Sequence, residues 1–142
     1  MNFLTDIYRN NLLGDDTFDK VNLDADTIAI MLIDNSNDII YQTDESLDDV
    51  VSSARIPVAA PYPSLDNKTL GVLDVGRFDA DDVTFIGLSG DQSEQLLLFK
   101  DTGVASTSIL IACWDTFTSG MPLTPNGGDV TIQWSVSGIF GV

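Results

Sequence analysis

Apolar residues at the start of the chain recur at helical spacing. Phe3, Leu4, Ile7, Tyr8 and Leu12 share one side of an α-helical repeat, and Gly14 follows as a C′ residue. The spacing predicts one short amphipathic helix over residues 2–13. Its apolar face has two uses, closing an end of the core or docking on a partner. From Asn22 the texture changes to short runs of Val, Ile, Leu, Thr and aromatics bounded by Asp, Asn, Ser, Gly and Pro, the rhythm of an all-β domain. Residues 27–33 are almost continuously apolar, as in a central strand covered on both faces.

Further strands are predicted at 54–59, 69–73, 83–88, 95–100, 108–114, 129–136 and 138–140. The first of these is an edge strand, because Pro57 has no N–H to give a second neighbour. Pro61 and Pro63 stiffen the following loop. Ser46 is placed to cap a single helical turn over 47–51, with Asp48 and Asp49 at the positive end of its dipole. Ser89-Gly90-Asp91, Asp101-Thr102-Gly103 and Pro125-Asn126-Gly127-Gly128-Asp129 supply the positive-φ positions that strand reversals need. Eight strands and one helix in 142 residues fit a single domain, an antiparallel β-sandwich of jelly-roll-like type. No tandem repeat, linker or low-complexity segment interrupts it.

Charge changes the picture more than size does. There are 22 acidic against 6 basic residues, a formal net charge of -16, and no histidine. Without histidine there is no Ser-His-Asp or Cys-His nucleophile system and no His-containing zinc site. The single cysteine, Cys113, allows no intrachain disulfide, which suits a reducing cytoplasm. It lies in an apolar run, where a small buried hydrophobe is the ordinary use. A folded chain of this size has roughly 7,000 Å² of surface, or about one net negative charge per 450 Å². Nucleic acid is therefore expected to be repelled, and the six basic residues stand singly along the chain. No apolar run approaches a membrane span, and no basic n-region precedes an h-region, so neither membrane insertion nor signal-directed secretion is expected.

The clusters Asp24-Ala25-Asp26, Asp44-Glu45, Asp48-Asp49 and Asp79-Ala80-Asp81-Asp82 offer the hard oxygen ligands that calcium takes. None has the EF-hand rhythm, and aspartate also serves surface turns by bonding their backbone, which is the favoured reading. A carboxylate pair for glycoside hydrolysis is a weaker alternative still. Gly127-Gly128 lacks the helix start and the lysine of a phosphate loop and reads as a turn. Trp114, Trp134, Phe85, Phe99 and Tyr62 can stack on sugar rings only if they share one exposed face; otherwise they are core or interface. Neither a catalytic residue, a cofactor site nor a metal site is assigned.

Several stretches together resemble a family of small structural proteins of tailed bacteriophages. They are Ala54-Arg55-Ile56, Phe78-Asp79-Ala80-Asp81-Asp82-Val83-Thr84-Phe85, Gly90-Asp91-Gln92, Lys100-Asp101-Thr102-Gly103, and the run from Leu123 through Thr124-Pro125-Asn126-Gly127-Gly128-Asp129 to Trp134. Asn11-Leu12-Leu13 leading to Asp24-Ala25-Asp26 and residues 27–32 is also similar. The likeness covers most of the chain and is densest from Phe78 to Trp134. Tyr41 to Val51 and Pro61 to Asn67 depart from the pattern. Some of these proteins resemble capsid cement or decoration proteins. The resemblance implies a non-enzymatic β-sandwich or jelly-roll subunit, made in the host cytoplasm, trimeric, and seated with the major capsid protein at three-fold and quasi-three-fold positions on the outer surface of the head. An acidic subunit suits the outside, away from packed DNA. Phe3, Leu4, Ile7, Tyr8 and Leu12 are then the candidate subunit or capsid contacts. Two competing expectations are a neck or tail component of the virion and a carbohydrate-binding module using aromatics and calcium.

Overall fold

The computed structural model describes residues 1–15 and 20–142. In chain order its elements are β1 (Phe3–Leu4), α1 (Asp6–Leu12), β2 (Ile28–Ile33), β3 (Arg55–Ile56), β4 (Thr69–Leu70), β5 (Arg77–Asp79), β6 (Val83–Phe85), β7 (Gln95–Lys100), β8 (Leu110–Trp114), β9 (Val130–Ile132) and β10 (Phe140–Gly141), with 3-10 turns at Leu47–Asp49, Ser52–Ala54 and Ala105–Thr107. All sheet pairings are antiparallel. A five-stranded sheet in the order β1-β8-β7-β2-β3 forms the frame, and two smaller sheets, β10-β5-β4 and β6-β9, complete an all-β sandwich.

The almost continuous apolar run becomes β2, whose six residues are all buried. It lies inside the large sheet, between β7 and β3, so its alternate side chains enter two different cores. Ile28, Ile30 and Leu32 join Leu96, Leu98, Ile111, Phe78 and Phe85 on one face. Ala29, Met31 and Ile33 join Leu97, Phe99, Leu110, Ile40 and Leu47 on the other. Each Leu, Ile or Phe so buried contributes about 1.5–3 kcal/mol relative to exposure. In β8 the alternation breaks. Leu98 pairs with Ala112 but Phe99 with Leu110, so Ile111 is an extra residue at a bulge, and both Ile111 and Ala112 face the first core.

The two faces are covered by different material. The first is covered by the small sheets, with Phe140 packed on Phe78 (ring centroids 5.3 Å) and edge-on to Tyr8 (6.0 Å). The second is covered by residues 34–54, whose only helical elements are 3-10 turns and which meet β8's start through a bridge between Ser46 and Ile109, by way of Ile40, Leu47, Val50 and Ala54. Buried Gln95 holds that cover in place, its Oε1 accepting from Ile40 N (2.9 Å) and its Nε2 donating to Ile40 O (3.2 Å). Arg55 adds bonds from its guanidinium to Leu47 O (2.6 Å) and Val50 O (2.8 Å). At Ser46 the expected cap is present as a capping box with Asp49, over a turn that ends at Asp49.

The N-terminal segment corrects one expectation. The helix begins at Asp6, not at residue 2, and Phe3 and Leu4 instead form β1 against Cys113 and Ala112. Thr5 makes the change of direction. Its Oγ1 donates to Leu110 O (2.6 Å) and caps the helix by accepting from Tyr8 N (3.3 Å), while its own N–H donates to Ile111 O (2.9 Å). Helical spacing hides such a strand, because the cap splits a continuous pattern. Arg77–Asp79 is the other strand not expected, a short one with a single buried apolar residue, Phe78.

Candidate functional site

The aspartates are used as turn formers. Asp49 Oδ2 accepts from Glu45 N (2.8 Å) and Ser46 N (3.2 Å), Asp44 Oδ2 from Tyr41 N (2.8 Å), and Asp38 Oδ2 from Val51 N (2.8 Å). Asp26 Oδ2 accepts from Asn22 N (2.7 Å) and pairs with Lys100 Nζ (3.3 Å). Among the described residues no group of three or more Cys, Asp or Glu side chains is arranged to hold a metal ion. Burial raises the Asp44 carboxyl above its ordinary value, and the charges of Asp49 and Asp38 add to this against the Tyr41 backbone bond. Burial likewise pushes the Cys113 thiol up to about 12, as befits a core side chain. Gly127 and Gly128 form a turn: Gly127 N donates to Leu88 O (2.7 Å), Leu88 N to Gly128 O (2.9 Å), and Gly128 N to Asn126 Oδ1 (3.0 Å).

The five candidate contact residues are split by the fold. Ile7 and Tyr8 turn into the chain's own core, so the helix closes an end of it. Burial pushes the Tyr8 hydroxyl up to about 12. Phe3 and Leu4 are half-buried in β1 and pack on opposite faces of the large sheet. Leu12 is largely exposed, beside Leu13 at 88%. A larger exposed apolar group lies at the β4–β5 hairpin. Its tip carries Leu70, Val72 (75% exposed), Leu73 and Val75 (93% exposed) around Asp74. Gly71 N to Arg77 O (2.8 Å) and Arg77 N to Asp74 O (3.1 Å) close the loop, and Gly71 and Gly76 hold φ of 69° and 74°, where a side chain is strained.

The aromatic residues do not share a face. Phe85 and Phe99 are buried, and Tyr62 packs edge-on to Phe99 at 5.5 Å. Trp114 and Trp134 do meet, with centroids 5.7 Å apart and planes tilted by 50°. They border an open cleft of about 720 Å³. Leu32 and Leu96 of the large sheet line it, together with residues 116–121 and 130–135. The first of these segments is fastened by Asn2, whose Oδ1 accepts from Asp115 N and Thr116 N (3.0 Å each), and by an ion pair between the Met1 amine and Asp115. That amine holds the Asp115 carboxyl below its ordinary value. On the opposite side Trp134 is fixed at two points, its N–H donating to Asp82 Oδ1 (2.9 Å) and its Nε1 to Asp81 O (3.2 Å). No Asp, Glu, Lys or Arg is among the described residues that line the cleft.

Sequence reasoning named both tryptophans but missed Thr118, Ser119 and Gln133, which line the cleft beside them. The available signal is one of charge: from Thr116 to Val142, Asp129 is the only charged side chain. Among the described residues no helix is long and apolar enough to cross a membrane. No protein-family model matches the chain, and no curated protein matches it.

Proposed function

We propose that this chain is a non-enzymatic structural subunit of a phage virion, a cement or decoration protein that joins the major capsid protein as a trimer on the outer head surface. The observation that carries the reading is the β4–β5 tip. Four aliphatic residues, each at least half exposed, fall within six positions of one hairpin on a chain of net charge -16. Exposed apolar groups clustered on a polar surface are what assembly interfaces cover. The resemblance from Phe78 to Trp134 supplies the particle, and the acidic charge supports an outward location, where repulsion from packed DNA is least. The mechanism is mechanical. Contacts made only with the assembled, expanded shell stabilise that state by mass action.

The test is the copy number of this protein relative to the major capsid protein in gradient-purified particles. Hundreds of copies per particle support decoration; a single ring's worth moves the subunit to the neck or tail, and absence from particles overturns the reading. Val72→Ser with Val75→Ser is the accompanying variant. Both side chains are exposed, so folding is kept while attachment to isolated shells or trimer formation falls. Deleting residues 1–13 is the poorer test, because it removes β1 and the core residue Tyr8 as well.

A further inference from the structure

We propose that the cleft between Trp114 and Trp134 is a binding site for a neutral oligosaccharide. The inference stands apart from the subunit's place in a particle and needs no particle to test. Its size falls in the range of ligand clefts, about 300–1,000 Å³, and the observed value is about 720 Å³. Its chemistry is selective. Charged residues make up 20% of the chain, yet none is among the described residues lining the cleft.

What the lining offers instead is indole surface and neutral hydrogen-bonding groups. Trp114 and Trp134 present partly exposed rings, and the backbone and indole bonds to Asp82 and Asp81 fix Trp134 before any ligand arrives. Thr118, Ser119 and Gln133 add hydroxyl and amide groups at exposed positions. A pyranose has this same division, C–H faces that pack on indole and a rim of hydroxyls that exchange hydrogen bonds with amides and alcohols. An ionic ligand finds no counter-charge here. A uronic-acid or sulfated chain also meets the repulsion of the -16 surface. A purely apolar ligand would leave Gln133 and the loop hydroxyls without partners.

The chain has only two tryptophans, and both border the cleft, so tryptophan emission reads this site alone. Gluco-, galacto-, manno- and N-acetylglucosamine oligomers should be titrated into the full chain, with oligogalacturonate and a sulfated oligosaccharide as controls. At least one neutral oligomer is expected to shift the emission saturably, with no response to chelator and little to salt. Gln133→Ala should weaken that binding about five- to tenfold, the worth of one hydrogen bond. Ser119→Arg, at an exposed loop position, should abolish it by filling the cleft. Trp134→Ala removes both a ring and an anchor, so it is interpreted only where its thermal unfolding stays cooperative. Silence across the neutral panel overturns the proposal. So does binding left unchanged by both Gln133→Ala and Ser119→Arg, or equal binding of the acidic controls. An emission shift that depends on protein concentration alone also overturns it, and assigns the cleft to a second copy of the chain.

Discussion

Replacing Thr5 tests the junction on which the N-terminal segment depends. The residue is fully buried, and its hydroxyl serves two elements, donating to Leu110 O in β8 and accepting from Tyr8 N at the start of α1. Thr5→Val keeps the shape of the side chain and removes both bonds. Loss of the cap costs about 1 kcal/mol. Stranding a buried carbonyl costs about another 1–2 kcal/mol, which brings the expected loss to about 2–3 kcal/mol. With a urea slope near ~2 kcal/mol/M, the unfolding midpoint should fall by about 1–1.5 M with the slope unchanged. Thr5→Ser keeps the hydroxyl and loses one methyl, about 0.8 kcal/mol, so its midpoint should fall by no more than about 0.5 M. A Val variant that falls no further than the Ser variant would refute the reasoning, since losing the hydroxyl would then cost no more than losing one methyl. A Val variant within about 0.3 M of the parent would refute it too.

The remaining predictions concern the chain end, the core thiol and one carboxylate. Gly76→Ala places a methyl group against the Val142 carbonyl at a positive-φ position, where Val142 N also donates to Gly76 O (2.9 Å); it should cost at least about 2 kcal/mol in denaturant unfolding and raise hydrogen exchange along β10. Cys113, buried with its thiol pushed up to about 12, should react with a thiol reagent in denaturant and scarcely at all in the native protein at neutral pH; rapid native reaction would contradict its place in the core. Asp44 has a raised folded-state pKa, so its contribution to stability is fully present below its unfolded pKa and is lost as pH rises through the folded value. Asp44→Asn retains an oxygen for Tyr41 N, and it should therefore be more stable than the parent at neutral pH. Melting curves from pH 7 downward should show that margin closing through the carboxylate range.

How far each element could be read depended on where its cause lay. β7 follows its expected limits residue for residue, and β2 lacks only Thr27, because a run of buried apolar residues bounded by polar ones carries its own signal. β1 has no such signal. Two residues become a strand only by meeting Ala112 and Cys113, far along the chain, and their spacing with Ile7 and Tyr8 is equally good for a helix. The cover over the second core was harder still, since it is held by Gln95 and Arg55 side chains bonding to irregular backbone. The cleft was half legible. Both tryptophans and the stretch with Asp129 as its one charge are in the sequence, but what brings them together is a long-range fastening, Asn2 to Thr116 on one side and Asp82 to Trp134 on the other.

The pairing order of the large sheet also constrains how the chain is made. During synthesis the six apolar residues of β2 emerge first, while their principal partner, β7, follows only after residues 34–94. Phe3 waits longer, until Cys113 has appeared. A nascent chain thus carries β2 without that partner while residues 34–94 are made, a state prone to association with its neighbours. Sheets closed by such distant pairings also fold slowly once released. Slower, cooler expression should therefore raise the folded yield, and the acidic charge of the chain works in the same direction by keeping the waiting segments of different copies apart.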